Sequence, residues 1–299
     1  LEQKGRLIAS RRGRRVDRIY ITGAQGMLGR TIVPLFRRRY EVYPPDLSEP
    51  DIRNADTIIE DIRRASPRFV IHLAAITDVD GCELNPDEAY RVNALGTRNV
   101  ALACQASNAT MVYVSTGMVY GGNKETPYTE FDPLSPVNVY ARSKYFGELA
   151  MKDLLSRFYI FYTCWLFGGG PNDKKFVARI MQRARSTKEI KVVNDKYGSP
   201  TYAADFGKAM FDFVESGLYG KYHCANPGCV NRFEMAKEIL DIAGIGSCAV
   251  VPASSDEFPL PAPRPRMEAL RNYNFELLGM DPMRDWREAL REYLTTAFR

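Results

Sequence analysis

The chain has 299 residues, 45 % of them apolar and 26 % charged, an ordinary globular composition with enough apolar mass for a sizeable core. Collagen-like, disordered and disulfide-scaffold classes are excluded, and no apolar run approaches the ~20 residues of a membrane span. The formal charge of +5 is concentrated at one end: residues 1–18 hold seven of the 41 basic residues and two of the 36 acidic ones, and the remainder balances. A balanced body argues against nucleic acid or a membrane surface as partner.

The basic leader, residues 1–18, lacks the apolar stretch of a secretory signal, and a solvated extension is expected there over a nucleic-acid arm or transit segment. Next, RIYITGAQGMLGRTIVPLF opens with a short apolar run, breaks at glycine and continues with helical spacing in Met27, Leu28, Ile32, Leu35 and Phe36, which reads as strand, tight turn, helix. YEVYPPD reads as a second strand, Ala55 to Ala65 as a helix and RFVIHLAAI as a strand covered on both faces. DEAYRVNALGTRNVALACQAS reads as helix, TMVYVSTGMVY as strand, NVYARSKYFGELAMKDLL as a long amphipathic helix and FYIFYTCWLFG as a further apolar strand.

Such alternation over some 150 residues predicts an α/β fold, a doubly wound parallel sheet with right-handed crossovers. Beyond Gly168 the elements shorten and Pro and Gly increase. DFGKAMFDFVES reads as one more sheet-covering helix, RFEMAKEILDIAG as a helix of a smaller lobe, and DWREALREYL as a closing helix with Trp286, Leu290 and Leu294 on one face. The expected division is a dinucleotide-binding domain over 19–168 plus about 202–220, and a smaller substrate lobe over 169–201 and 221–299. The six cysteines are scattered without a C-x-x-C pair, as expected for reduced, mostly buried thiols in a cytoplasmic protein.

Gly23-x-x-Gly26-x-x-Gly29 falls between the first strand and its helix, where glycine lets main-chain N–H groups approach a pyrophosphate at a helix N-terminus. Asp46, 23 residues beyond Gly23, is placed to accept from a ribose diol, which favours NAD(H), although a turn-forming Asp after two prolines is the plainer reading. Arg37, Arg38 and Arg39 read as solvated helix-end charge. In Tyr140-Ala-Arg-Ser-Lys144 the phenol and ammonium share a helix face, and a neighbouring cation is expected to lower the phenol's pKa. Ser115 and Thr116 end a strand 24 residues before Tyr140, where a hydroxyl can bond a substrate carbonyl. His72 and His223 have no third ligand nearby in sequence and read as satisfied core or lining residues, with no metal site.

The order TGAQGMLG, HLAAITDVDGCE, VNALGTRNVA, VSTGMVYG and PVNVYARSKYFGE resembles the extended short-chain dehydrogenases. CWLFG, VVNDKYGSPTY, RPRMEAL and DWREAL make the chain most similar to the dTDP-4-dehydrorhamnose reductase group, over about residues 19–295. That resemblance implies a Rossmann fold, NAD(H) or NADP(H) as cofactor, a nucleotide-sugar substrate and reduction of a 4-keto group. It assigns Tyr140 as acid, Lys144 to the nicotinamide ribose and Thr116 to the keto oxygen. Gly23, Gln25, Gly26, Met27, Leu28 and Gly29 would wrap the pyrophosphate. Asp46, Asp51 and Ile52 would frame adenosine, and Leu73, Ala74 and Ala75 would line the cofactor cleft. On the substrate side, Thr77 and Val79 would approach the sugar, Asn93 would support the site, Trp165 would pack on the sugar and Arg264 would face the diphosphate.

Three departures stand out. Gly117, Met118, Val119 and Tyr120 replace the group's usual Asp-Tyr-Val-Phe, Glu268 replaces the Ser after the Arg-Pro motif, and Thr31 and Ala204 replace glutamates through which some members dimerise around magnesium. A homodimer without that metal site is the corresponding expectation. Two other activities fit parts of the pattern: a sugar-nucleotide 4-epimerase, because VSTGMVYG is partly epimerase-like, and a non-catalytic NAD(P)-binding regulatory subunit. An intact Thr116, Tyr140 and Lys144 argue against the second.

Overall fold

The structure, a computed structural model, describes residues 16–44 and 50–298. Its centre is a six-stranded sheet, parallel throughout. The strands are β1 (Arg18–Thr22), β2 (Glu41–Tyr43), β3 (Phe69–His72), β4 (Thr110–Thr116), β5 (Phe158–Thr163) and, much later in the chain, β10 (Gly220–His223). Their spatial order is β10-β5-β4-β3-β1-β2, so the chain runs outward from β1 in both directions, as a doubly wound sheet does.

Strand periodicity explains why both faces are covered. Ile19 and Ile21 of β1 point to one side, where α1 (Met27–Phe36) and α8 (Ala203–Phe213) pack through Ile32, Phe36, Phe206 and Phe213. Tyr20 of β1 and Val70 of β3 point to the other, against α2 (Ala55–Ala65), α5 (Thr97–Ser107) and α6 (Val139–Leu154). The helix expected over 87–107 is interrupted: α3 (Val79–Leu84) and α4 (Pro86–Tyr90) lead into a π-helical turn, Arg91–Gly96, before α5 starts. Similarly, the apolar run 158–168 divides, because the chain leaves the sheet at Cys164 and β6 (Leu166–Phe167) pairs instead with β9 (Thr201–Tyr202).

The second lobe gathers α7 (Phe176–Ala184), α9 (Arg232–Ala243) and α11 (Trp286–Ala297) around a core that includes Ile190, Ile239, Trp286 and Leu290. Its strands are β7 (Glu189–Val193) with β12 (Ala249–Ala253), and β8 (Tyr197–Gly198) with β11 (Val230–Asn231). The short α10 (Tyr273–Leu277) returns to cover β10 through Phe275. Residues 221–223, expected in the second lobe, form the edge of the large sheet; four residues alternating around one tyrosine give no apolar run to announce a strand. All six thiols are free and five are buried, Cys229 being the exposed one.

Candidate active site

At the carboxyl end of the parallel sheet, where α/β folds bind ligands, a cleft of about 360 Å³ opens between the sheet and the second lobe. One end is the β1–α1 turn. Gly23 has a φ of +68°, and a Cβ there would lie 2.6 Å from the amide nitrogen of Ala74. A Cβ on Gly29 would meet the carbonyl oxygens of Gly23 and Ala24 at 2.4 Å. Both glycines are therefore required by close backbone approach. Helix α1 begins without a side-chain cap or an acidic residue in its first turn, which leaves N–H groups and positive dipole available to an anion.

Met27, Leu28, Leu73 and Ala75 line the same space, while Ala74 forms the backing of Gly23 and donates its N–H to Thr22. Gln25 is exposed at the tip of the turn, where its carbonyl accepts from Arg30 at 2.8 Å. Asp51 and Ile52 lie away from the cleft: Asp51 pairs with Arg53 at 2.5 Å, and Ile52 is buried against Gly96. Asp46 lies outside the described residues. Two buried hydroxyls on the cleft wall, Ser115 Oγ and Thr163 Oγ1, have no hydrogen-bond partner among the described residues. A glycine cradle at a helix end without a side-chain cap among the described residues, with two buried hydroxyls beyond it, fits a dinucleotide running along the strand ends.

The chemistry-bearing residues converge. Thr116 at the end of β4, and Tyr140 and Lys144 one turn apart on α6, all face the cleft. Thr116 accepts from the Met118 amide at 3.2 Å. The start of α6 is fixed by Asn138, whose side chain accepts from Ala141 at 2.8 Å and donates to the Pro263 carbonyl at 2.9 Å. Burial pushes the Tyr140 phenol up to about 12, partly opposed by the nearby Thr116 hydroxyl. The expected lowering of that phenol by Lys144 is therefore corrected, because desolvation of the phenolate dominates. Burial acts on Lys144 instead and lowers it to about 7, with Glu148 one turn further along α6 opposing the shift. Its ammonium lies 4.2 Å from the Tyr113 ring centroid.

On the sugar side, Thr77, Val79, Met118 and Trp165 reach the cleft. Asn93 does not. It is fully buried, its amide accepts from the Ile76 N–H at 2.9 Å and donates to the Ile76 carbonyl and to Ser143 Oγ, both at 3.0 Å. Ser143 in turn donates to the Tyr140 carbonyl at 2.8 Å. Asn93 thus lies beneath Tyr140 with its amide fully engaged within the protein. Arg264 is likewise absent from the wall: it binds Asp80 at 2.9 Å and the Ala262 carbonyl at 2.7 Å.

Trp165 sits in the left-handed region at φ +44°, a strained conformation for a bulky residue. A Cβ on Gly198 would fall 2.3 Å from its ring, and the Arg232 guanidinium lies 3.5 Å over its centroid. Arg232 therefore lies against the indole on the cleft wall, beside the surface on which the sugar is expected to pack. The indole N–H donates to Glu268 Oε1 at 2.6 Å. Sequence reasoning did not find Arg232, Lys175, Phe176 or Met235, all of which line the cleft. They come from α7, the residue that precedes it, and α9, and nothing in their local sequence marks them. Only Glu268 carried a signal, as a departure in the Arg-Pro segment.

The sequence family described as the RmlD substrate binding domain matches residues 17–298. The chain is 37 % identical over 279 residues to a dTDP-4-dehydrorhamnose reductase of Mycolicibacterium smegmatis, covering 92 % of this chain and 84 % of that one. It belongs to the dTDP-4-dehydrorhamnose reductase family. Membership brings NAD(P)-dependent oxidoreductase chemistry on the extended short-chain dehydrogenase fold. Among solved structures, the dTDP-4-dehydrorhamnose reductases of Clostridium acetobutylicum and of Bacillus anthracis, the latter in complex with NADP, each superpose with a TM-score of 0.89 at 36 % identity. Each covers 94 % of this chain, and the chain covers 100 % and 99 % of theirs.

Proposed function

We propose that this chain is a cytoplasmic reductase that uses NAD(P)H to reduce the 4-keto group of a dTDP-activated 6-deoxysugar, and that Thr116, Tyr140 and Lys144 carry the reaction. The observation behind this reading is that the phenol, the ammonium and the strand-end hydroxyl meet in one cleft that continues into the glycine turn. When bound, the reduced nicotinamide supplies the hydride. With its pKa pushed up to about 12, Tyr140 holds its proton at neutral pH and releases it only to a stronger base, such as the alkoxide that forms at the sugar oxygen. Thr116, which lines the same cleft, donates to the same oxygen. Lys144 brings a positive charge to the developing negative one. Gly23, Gly26, Gly29 and the first turn of α1 would hold the pyrophosphate, with Leu73 and Ala75 along the cofactor.

The proposal includes a homodimer without the magnesium of some relatives. In support, Thr31 and Ala204 line a groove between α1 and α8 whose charged members, Arg38, Lys208 and Asp212, do not form a set of metal-ligating carboxylates. The test of the activity is oxidation of NADPH or NADH with dTDP-4-dehydrorhamnose. We expect turnover by the wild type and a loss of about 10²–10⁴-fold in Tyr140→Phe with cofactor affinity retained. Absence of turnover while cofactor binds, or conversion of a saturated nucleotide sugar without added reductant, overturns the proposal.

A further inference from the structure

The guanidinium of Arg232 is held between the rings of Trp165 and Phe176, 3.5 and 4.7 Å from their centroids, on the wall of the cleft. No hydrogen bond or ion pair joins it to any described residue within contact distance, so its five donors remain unused. Beside it, the Glu268 carboxyl is buried, accepts from Trp165 at 2.6 Å through one oxygen and faces the same cleft. It shares the cleft wall with Thr116, Tyr140 and Arg232, and its own backbone packs on Gly117, the residue after Thr116.

The backbone is built around this pair. A Cβ on Gly117, directly after Thr116, would lie 2.7 Å from the Glu268 carbonyl oxygen, and a Cβ on Gly198 would strike Trp165. Glycine at both positions lets the Glu268 segment and the indole close on the cleft. Two occupants of this wall can be weighed. A diphosphate carries at least two negative charges, and the buried carboxyl beside Arg232 repels it, so the pair offers such a group little net attraction. A neutral hydroxyl uses both partners at once, giving its hydrogen to Glu268 and accepting from Arg232.

We infer that Arg232 and Glu268 form a hydroxyl-reading subsite that selects sugars bearing a hydroxyl on the carbon next to the ketone. In a 4-keto-6-deoxyhexose that carbon is C3, because C5 carries the methyl group. The inference rests on the reductase reading above and adds to it a specificity that neither Thr116 nor Tyr140 supplies.

The test compares dTDP-4-keto-6-deoxyhexose with its congener deoxygenated at C3, in the wild type, Glu268→Ser and Arg232→Leu. Wild type should prefer the hydroxylated sugar by about 10²-fold or more in kcat/KM, because the congener leaves two buried polar groups unpaired. In each variant that ratio should fall to within about threefold. Titration of the two reduced products in the presence of oxidised cofactor should show the same convergence, independently of turnover. A wild type that treats the two sugars alike, or variants that lower both equally, overturns the inference while leaving the reductase reading intact. Failure of the hydroxylated sugar to bind or react overturns both. The wild-type comparison stands even if a variant fails to fold.

Discussion

Lys144 has two faces to its environment, and they pull in opposite directions. Burial lowers its pKa to about 7 while Glu148 on the same helix raises it; His72 from β3, Tyr113 from β4 and Tyr140 complete the titratable groups around it. The cationic form is required at the developing alkoxide, so kcat/KM should fall as pH rises through about 7. Glu148→Gln removes the opposing charge and should move that limb to lower pH; a limb that stays in place would show that another group governs it. Gly198→Ala tests the other side of the cleft. Its Cβ, 2.3 Å from the Trp165 ring, must displace the indole, costing about 1–3 kcal/mol in denaturant unfolding. Because Trp165 holds Glu268 and Arg232 in place, KM for the sugar nucleotide should rise while NADPH affinity holds. The glycine turn and Tyr140-x-x-x-Lys144 were legible in the chain because each is a local pattern tied to one turn or one helix face. Arg232 was not, and Glu268 was legible only as a departure from a usual Ser, since the meaning of the pair arises where residues 36 apart meet a third, Trp165, through packing.

At the scale of elements, long periodic helices such as α2, α6 and α11 could be read because a 3.6-residue pattern repeated over three or more turns is distinctive. Two-residue strands and the five-residue β7 and β12 give no such repeat, so the second lobe was described only by its texture. The π-helical turn Arg91–Gly96 was also invisible, as its residues keep a helical apolar pattern. That turn is functional in placement: the wider ring carries Asn93 under α6, where it joins the loop after β3 to the helix holding Tyr140. Asn93→Ala leaves the Ile76 N–H and carbonyl without their partners, at a cost of about 1–3 kcal/mol for each buried group left unsatisfied. With Ser143 released, Tyr140 should lose its alignment, so kcat should fall by more than KM rises. Equal activity per folded molecule would assign Asn93 to stability alone.

Across the whole molecule, the junction between the large sheet and the 264–277 segment is closed by one histidine. His223 ends β10, fully buried; its Nδ1 donates to the Arg271 carbonyl at 3.0 Å, and its Nε2 accepts from the Tyr120 hydroxyl at 2.6 Å. Tyr120 stacks on Tyr128 at 4.3 Å, and Glu130 accepts from the His223 amide at 2.8 Å, so the ring sits where β10, the loop after Thr116 and the returning segment meet. Burial lowers its pKa to about 3, below the ~6.5 of an unfolded histidine. The unfolded chain therefore takes up the proton first as pH falls. The stability held by the neutral ring is complete above about pH 6.5 and is lost progressively down towards 3. Between pH 7 and 5 this amounts to about 2 kcal/mol for one histidine. His72, lowered to about 3 by its own burial, adds a similar dependence, and buried Glu130 and Glu268, raised by burial, act in the opposite sense, so the wild-type profile alone does not isolate His223. The comparison with His223→Gln does, since every other group is common to both proteins. Glutamine keeps an acceptor for Tyr120 and a donor for Arg271 but cannot titrate. The variant should be less stable than wild type at pH 7, and urea unfolding should show the gap shrinking by about 2 kcal/mol at pH 5. A gap that is constant with pH would mean that His223 titrates in the folded protein as it does in the unfolded chain, so that its burial does not hold it neutral.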